Sequence, residues 1–394
     1  MSRRGWIVTS VLVVLAGLVT VQVFTRSDDF LPRQVSPLPA AGPAPRGHHT
    51  AVWTGTELIV WGGDDGRRTL SDGARYHPVR KTWTRLPPPP IRPRSHHVAA
   101  WTGKEMIVWG GTSTPAETGF AALADGARYD PATGTWRRIS PAPAPPLEAG
   151  VRAVGVPGYL VVAQRKAILV YEVATDRWRT VTPSDEGVDP LLEEVIDLAV
   201  AGDRVVVISR AHYLGTPPGL GFAVLDPAAS TLEEVGASLG YGGLVGVGAT
   251  FDGTHLRVLV EDEDGSTLHR VGLEDGETWD TPGAEPDYDD SDDGDWENPN
   301  AWQADGMPAP IRPGMPPTSG DSLVWTSGGP LALTSAGLSR FLVDTEAVET
   351  NGDVTGHCGG AAAAWTGISL MVWGCGGADG DGPPGQAVGL QITP

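Results

Sequence analysis

Apolar residues in this chain fall in short runs separated by glycine, proline and polar turns, and the pattern of runs repeats. Gly47–Gly63 reads GHHTAVWTGTELIVWGG; 48 residues on, Ser95–Gly111 reads SHHVAAWTGKEMIVWGG. A third and a fourth run follow each copy, in SDGARYHPVRKTWTRLP (71–87) and ADGARYDPATGTWRRIS (124–140). Short runs rich in Val, Ile, Trp and Tyr predict strands, and the Thr-Gly, Gly-Asp and Pro-containing turns predict hairpins between them. Each unit is therefore read as four antiparallel strands. Tyr76 and Trp83 are seven residues apart, as are Tyr129 and Trp136, and Tyr171 and Trp178; Leu225 and Leu232 keep the spacing with aliphatic side chains.

Further units are predicted at 149–182, 194–236, 244–281 and 320–351. The last, 357–394, supplies only three strands, at 359–365, 368–374 and 386–392. A shift of 48 lays LPPPPIRPRSHH (86–97) on LPAAGPAPRGHH (38–49), with Leu86 on Leu38 and Arg94 on Arg46. Gln34–Leu38 is thus predicted as the fourth strand of the closing unit, donated by the N-terminal end. These residues resemble the Kelch repeat. Arg-x-x-His precedes the first strand (Arg46 and His49, Arg94 and His97), a glycine doublet ends the second (Gly62-Gly63, Gly110-Gly111), and a Tyr and a Trp follow with six residues between them. The resemblance is strong over 46–140 and moderate over 149–182. It is weak from 190 to 350, where the doublets are missing, and returns in AAWTGISLMVWGCGG (363–377). It implies an all-β fold, a Kelch-type β-propeller built of four-stranded blades and closed by the N-terminal strand. Seven blades are expected; six is the alternative if one unit in 190–350 is not a blade.

The N-terminal region breaks the pattern. Trp6–Phe24, WIVTSVLVVLAGLVTVQVF, carries no charge, and as a helix it would span roughly 28 Å, close to a bilayer core. Arg3 and Arg4 precede it. The reading is a cytoplasmic stub at 1–5, a single-pass transmembrane signal anchor at 6–24, a linker at 25–33 and a propeller at 34–394 outside the cytoplasm. A cleaved signal peptide is the alternative. The 53 glycines and 35 prolines fit many turns and few long helices. A net charge of −20 argues against a nucleic-acid partner, which needs a basic face. Cys358 and Cys375 are the only two cysteines. Pairing Trp365 with Ile368 across a Thr366–Gly367 turn sets them opposite one another, or nearly so if the turn is longer, which predicts a disulfide in a compartment that permits one.

In a Kelch-type propeller the first strand of each blade lines a central channel. The links from second strand to third, and from fourth to the next first, share one face. The resemblance therefore sets His48, His49, His96 and His97, and His357 with them, near the channel mouth. They read as repeat punctuation, imidazoles that satisfy loop backbone groups. A metal or anion site where the last, first and second blades converge is the alternative. The same face would gather the long connections 63–72, 112–125, 209–221 and 377–385 and an acidic insert at about 281–320. Ligand-face candidates are Arg46, His48, Arg67, Arg68, Arg94, His96, His212 and Tyr213. In the insert, Asp289, Ser291, Asp293 and Asp295 fit the spacing of a calcium loop, although Asn300 stands where an EF-hand has glutamate. Ca²⁺ is the one cofactor suggested, with a solvated acidic loop as the alternative. LEDGETW (273–279) echoes the Asp-box of sialidases and reads as a structural turn.

No phosphate loop, Gly-x-Ser-x-Gly elbow or His-Glu-x-x-His motif appears, and no catalytic residue is assigned. The family includes a copper oxidase, the galactose oxidase type, and a sialic-acid epimerase. Oxidase chemistry of that kind needs a tyrosine cross-linked to cysteine, and the cysteines here are read as paired with each other. The resemblance, to a membrane-anchored bacterial type, implies a tethered binding module for a protein or an envelope glycan. The alternative is a carbohydrate-active enzyme (isomerase, hydrolase or oxidase-like) with its site at the channel mouth.

Overall fold

The computed structural model is all-β among the residues it describes. These are 34–114, 122–143, 151–164, 167–181, 194–211, 219–240, 244–251, 253–262, 265–273 and 278–280, the strands between 322 and 351, and 362–366, 369–375 and 388–393. They hold seven four-stranded antiparallel sheets. Strand β1 is Gln34–Pro37. The first sheet is β2 (Thr50–Trp53), β3 (Leu58–Trp61), β4 (Gly73–His77) and β5 (Thr82–Arg85). The second is β6 (Val98–Trp101), β7 (Met106–Trp109), β8 (Gly126–Asp130) and β9 (Thr135–Arg138). The third is β10 (Arg152–Val156), β11 (Tyr159–Gln164), β12 (Ala167–Glu172) and β13 (Arg177–Val181). The weakly repetitive region also forms complete sheets: β14 (Val195–Ala201) to β17 (Thr231–Gly240), β18 (Leu244–Phe251) to β21 (Thr278–Asp280), and β22 (Ser322–Thr326) to β25 (Ala347–Asn351). The closing sheet contains β26 (Ala362–Trp365), β27 (Leu370–Cys375) and β28 (Val388–Thr393).

The sequence pattern explains the layering. β3 (LIVW) and β7 (MIVW) are buried at all four positions, as expected of a strand covered on both faces. β5 (TWTR) and β9 (TWRR) are exposed except at their tryptophans; such polar edges discourage pairing with another chain. The Tyr–Trp spacing makes the two rings cross-strand partners. Tyr76 lies opposite Trp83, Tyr129 opposite Trp136 and Tyr171 opposite Trp178, with ring centroids 5.1, 5.0 and 5.1 Å apart. Leu225 faces Leu232 in the same way.

Each of these tryptophans also reaches the preceding sheet. Trp83 packs on Trp373 at 4.6 Å, Trp136 on Trp61 at 5.8 Å and Trp178 on Trp109 at 5.4 Å. Their indole N–H groups donate to the carbonyls of Pro39, Pro87 and Ser140. The core therefore lies in the seams between sheets: Ile59 and Trp61 meet Met106 and Val108 in one, and Trp109 meets Leu160 and Tyr171 in the next. Full burial of such a side chain contributes about 1.5–3 kcal/mol. The first strands β2, β6, β10, β14, β18, β22 and β26 each neighbour the next, and β26 neighbours β2.

β1 completes the closing sheet, whose order is β1-β28-β27-β26. It pairs with β28 from Gln34 opposite Thr393 to Pro37 opposite Leu390, and the Leu38 N–H donates to the Gly389 carbonyl at 2.7 Å. The N-terminal strand expected at Gln34–Leu38 is present. The cysteine register needs correction. Trp365 pairs with Leu370, not Ile368, because the turn spans Thr366–Ser369. The Thr366 N–H donates to the Ser369 carbonyl at 3.0 Å, and the Thr366 hydroxyl accepts the Ser369 N–H at 3.1 Å. The turn at Thr54–Glu57 closes in the same way, and at Thr102–Glu105 the Thr102 N–H and hydroxyl both donate to the Glu105 carbonyl. The longer turn sets the two cysteines nearly, rather than directly, opposite one another. Cys358 itself lies outside the described residues. So do the proposed stub, anchor and linker (1–33) and the acidic insert. Among the described residues no helix is long and apolar enough to cross a membrane.

Candidate functional site

Antiparallel order fixes which loops share a face. The β3–β4 and β5–β6 connections lie on one side of the first sheet, and the β2–β3 and β4–β5 turns on the other. His48 and His96 stand on the first side, just ahead of β2 and β6.

The arginines that open each repeat are buried clasps. The Arg46 side chain is 0% exposed. Its Nη1 donates to the Gly62 and Asp72 carbonyls, Nη2 to Asp72 Oδ2 at 3.1 Å, and Nε to the Ala44 carbonyl. Arg94, also 0% exposed, repeats this with the carbonyls of Gly110, Asp125 and Arg92 and with Asp125 Oδ1 at 2.8 Å. Both were expected to meet a ligand. Instead their forked donors hold the second-strand exit against the third-strand start, a task that suits a planar guanidinium. Two of the ligand-face candidates are therefore sealed from solvent.

Within each histidine pair the two rings diverge. His48 and His96 have φ values of 50° and 55°, a left-handed backbone uncommon outside glycine. This turns His49 and His97 into the seams, where both are buried, and leaves His48 and His96 partly exposed. His97 Nε2 lies 2.9 Å from Thr50 Oγ1, and its ring meets Trp61 edge-on at 4.8 Å. The residue aligned with Thr50 in the closing sheet is Ala362, so His49 lacks the equivalent hydroxyl. Burial, reinforced by the Arg46 charge, lowers His49 to about 4. Burial and then the Arg94 charge hold His97 well below the usual imidazole range. Both inner histidines are neutral groups packed in the seams, and the one hydrogen bond their rings make is to the Thr50 hydroxyl rather than to loop backbone.

The outer pair differs. The His96 N–H donates to the His48 carbonyl at 3.1 Å across the seam, and the two rings stack with centroids 4.0 Å apart and planes 20° from parallel. His48 Nδ1 lies 2.8 Å from Asp64 Oδ2, and His96 Nδ1 lies 3.2 Å from Ser95 Oγ. Asp64 is fixed by a two-way backbone bridge with Gly47, 2.9 Å in each direction, and its Oδ1 accepts the Gly66 N–H. Burial, with His48 second, pushes His96 below its ordinary value against the opposing pull of Asp64. Ligand-type atoms of His48, Asp64 and His96 all lie within 4.8 Å of one another.

Sequence reasoning named the two histidines and missed Asp64. The signal was available: the first unit has Gly-Gly-Asp where the second has Gly-Gly-Thr, and Thr112 takes the bridging place opposite Ser95. Arg67 and Arg68 are exposed in the β3–β4 connection beside this cluster, with Arg68 Nε 3.2 Å from Asp65 Oδ2. His212 and Tyr213 lie outside the described residues, as do Asp289, Ser291, Asp293 and Asp295.

A search among curated proteins finds no match. Residues 24–209 match the KLHDC2/KLHL20/DRC7 Kelch-repeats domain. That span takes in the closing strand β1, both arginine clasps and the three Tyr–Trp pairs, so the sheets that carry the histidine cluster lie in the part of the chain that is similar to Kelch repeats.

Proposed function

We propose that this protein is a binding module that docks a protein partner on the face bearing the β3–β4 and β5–β6 connections. The observation that carries the reading is the Kelch-repeat match over 24–209, since repeats of this type mediate protein interactions. In this proposal the seven sheets are seven blades of one ring, closed by β1. The apolar segment 6–24, preceded by Arg3 and Arg4, tethers the ring outside the cytoplasm.

Internal repetition supports the choice of face. Positions that recur between the first two units, such as Arg46 and Arg94 or His49 and His97, hold the fold. Asp64, Arg67 and Arg68 do not recur, and they cluster on this one side. Long connections carried on a rigid scaffold are the usual place for recognition.

The test places a photo-crosslinking residue at Arg67 or at Val79 in the full chain. Val79 is 86% exposed on the opposite face and serves as the control. A protein adduct from position 67, absent from position 79 and lost in Arg67→Glu/Arg68→Glu, is the expected outcome. Equal labelling at both positions, or none at 67, overturns the choice of face. An adduct at 67 that disappears on glycosidase treatment points instead to an envelope glycan as the partner.

A further inference from the structure

We infer that His48, Asp64 and His96 form a binding site for one divalent transition-metal ion of the zinc class. Three groups from three chain segments converge there, contributed by the lead into β2, the exit of β3 and the lead into β6. Their ligand-type atoms already lie within 4.8 Å of one another. A tetrahedral zinc with bonds of about 2.0–2.2 Å needs ligand atoms roughly 3.3–3.5 Å apart. The widest separation therefore has to close by little more than an ångström, the 2.8 Å His48–Asp64 pair has to open slightly and the stacked rings have to tilt towards one ion; the side chains that move are the partly exposed rings of His48 and His96. His–His–carboxylate is a donor set such ions accept, two borderline nitrogens and one anionic oxygen.

The backbone holds the donors where a chelate needs them. The His96 N–H to His48 carbonyl bond fixes the spacing of the two histidines across the seam. The two-way Gly47–Asp64 bridge fixes the carboxylate. Ser95 Oγ lies against His96 Nδ1, and it orients that ring as outer partners orient metal-binding histidines. The Asp64 charge offsets half of a divalent ion. Because His48 retains 36% side-chain exposure, the fourth coordination position faces solvent and is open to water. The adjacent arginines do not oppose the ion directly: Arg46 and Arg94 are turned into the repeat and paired with Asp72 and Asp125. No comparable trio of described residues forms at the seam between the second and third sheets, where Thr112 replaces Asp64.

The inference is independent of any partner. It is tested on the full chain by competing Zn²⁺ against a chromophoric chelator and by the visible spectrum of the Co²⁺ form. The expected result is one site per chain with the absorption of a tetrahedral nitrogen–oxygen complex. His48→Ala and His96→Ala should abolish it, and Asp64→Asn should weaken it by at least about tenfold. His77→Ala, on the opposite face, should leave it unchanged. A thiolate charge-transfer band, or affinity unaltered in His48→Ala and His96→Ala, overturns the assignment, and so does the absence of any site. A second measurement needs no variant. Diethyl pyrocarbonate modification of the unaltered chain, mapped by mass spectrometry, should show Zn²⁺ protecting His48 and His96 but not His77. Equal modification with and without the metal overturns the inference as well.

Discussion

Adjacent histidines in this chain have opposite fates, and one strained dihedral at each pair separates them. His48 turns out to Asp64 and His96; His49 turns into a seam. The inner histidine has a consequence for stability that can be signed. His49 falls from 6.5 free to about 4 when folded. Above pH 6.5 it is neutral in both states and contributes no pH dependence. As pH falls from 6.5 towards 4 the unfolded chain takes up a proton that the folded chain refuses, so stability is lost across that window. The full loss is on the order of 3 kcal/mol. His97 acts in the same direction. Urea midpoints measured between pH 7 and pH 4 should therefore fall less steeply in His49→Leu than in the unaltered chain. Parallel slopes would show that His49 is protonated without penalty. The paired histidines and their repetition were legible in the sequence. Which member of each pair is buried was not, because it depends on a left-handed backbone residue that either histidine could have supplied.

At the scale of the element, the unit is a four-stranded sheet held by an arginine clasp. The Tyr–Trp spacing was legible because it is local: strands joined by a tight turn place residues seven apart directly opposite one another. The clasp was misread as a ligand contact, since an arginine ahead of a strand has the same sequence signature in either role. Arg94→Ala leaves the buried Gly110 carbonyl without its donor and the Asp125 carbonyl with only the Gly110 N–H. Breaking a buried, hydrogen-bonded charge pair costs about 3–5 kcal/mol. The lower end is expected here because the Asp125 side chain remains 34% exposed and keeps part of its water. Arg94→Lys should recover little, because an ammonium cannot reproduce the fork. Denaturant unfolding checks both variants, and a loss below about 1 kcal/mol for Arg94→Ala would remove the clasp from the account of stability. The hairpin turns supply the other lesson at this scale. A Thr-Gly pair suggests a two-residue turn, whereas the threonine hydroxyl captures the N–H three residues on and makes it a four-residue one. That difference pairs Trp365 with Leu370 instead of Ile368.

The whole molecule depends on a strand from the far end of the chain. β1 covers the edge of β28, buried Leu38 fills the last seam beside Trp373, and the Pro39 carbonyl accepts the Trp83 indole N–H. Leu38→Ala should cost about 2–5 kcal/mol, the usual range for a buried leucine truncated to alanine, and lower the calorimetric midpoint in a single transition. An unchanged midpoint would mean that closure by β1 contributes nothing to stability. The sequence by itself determined the repeat, the strands, the aromatic pairs and the donated closing strand. Those follow from periodicity and from side-chain chemistry acting over a few residues or one repeat length. Only the tertiary structure decided that both arginines are sealed inside the repeat and that Asp64 meets His48 and His96. Asp64 reaches His48 through a bridge that closes the first unit, and His96 reaches both because the first two sheets pack against each other, contacts that no local pattern encodes.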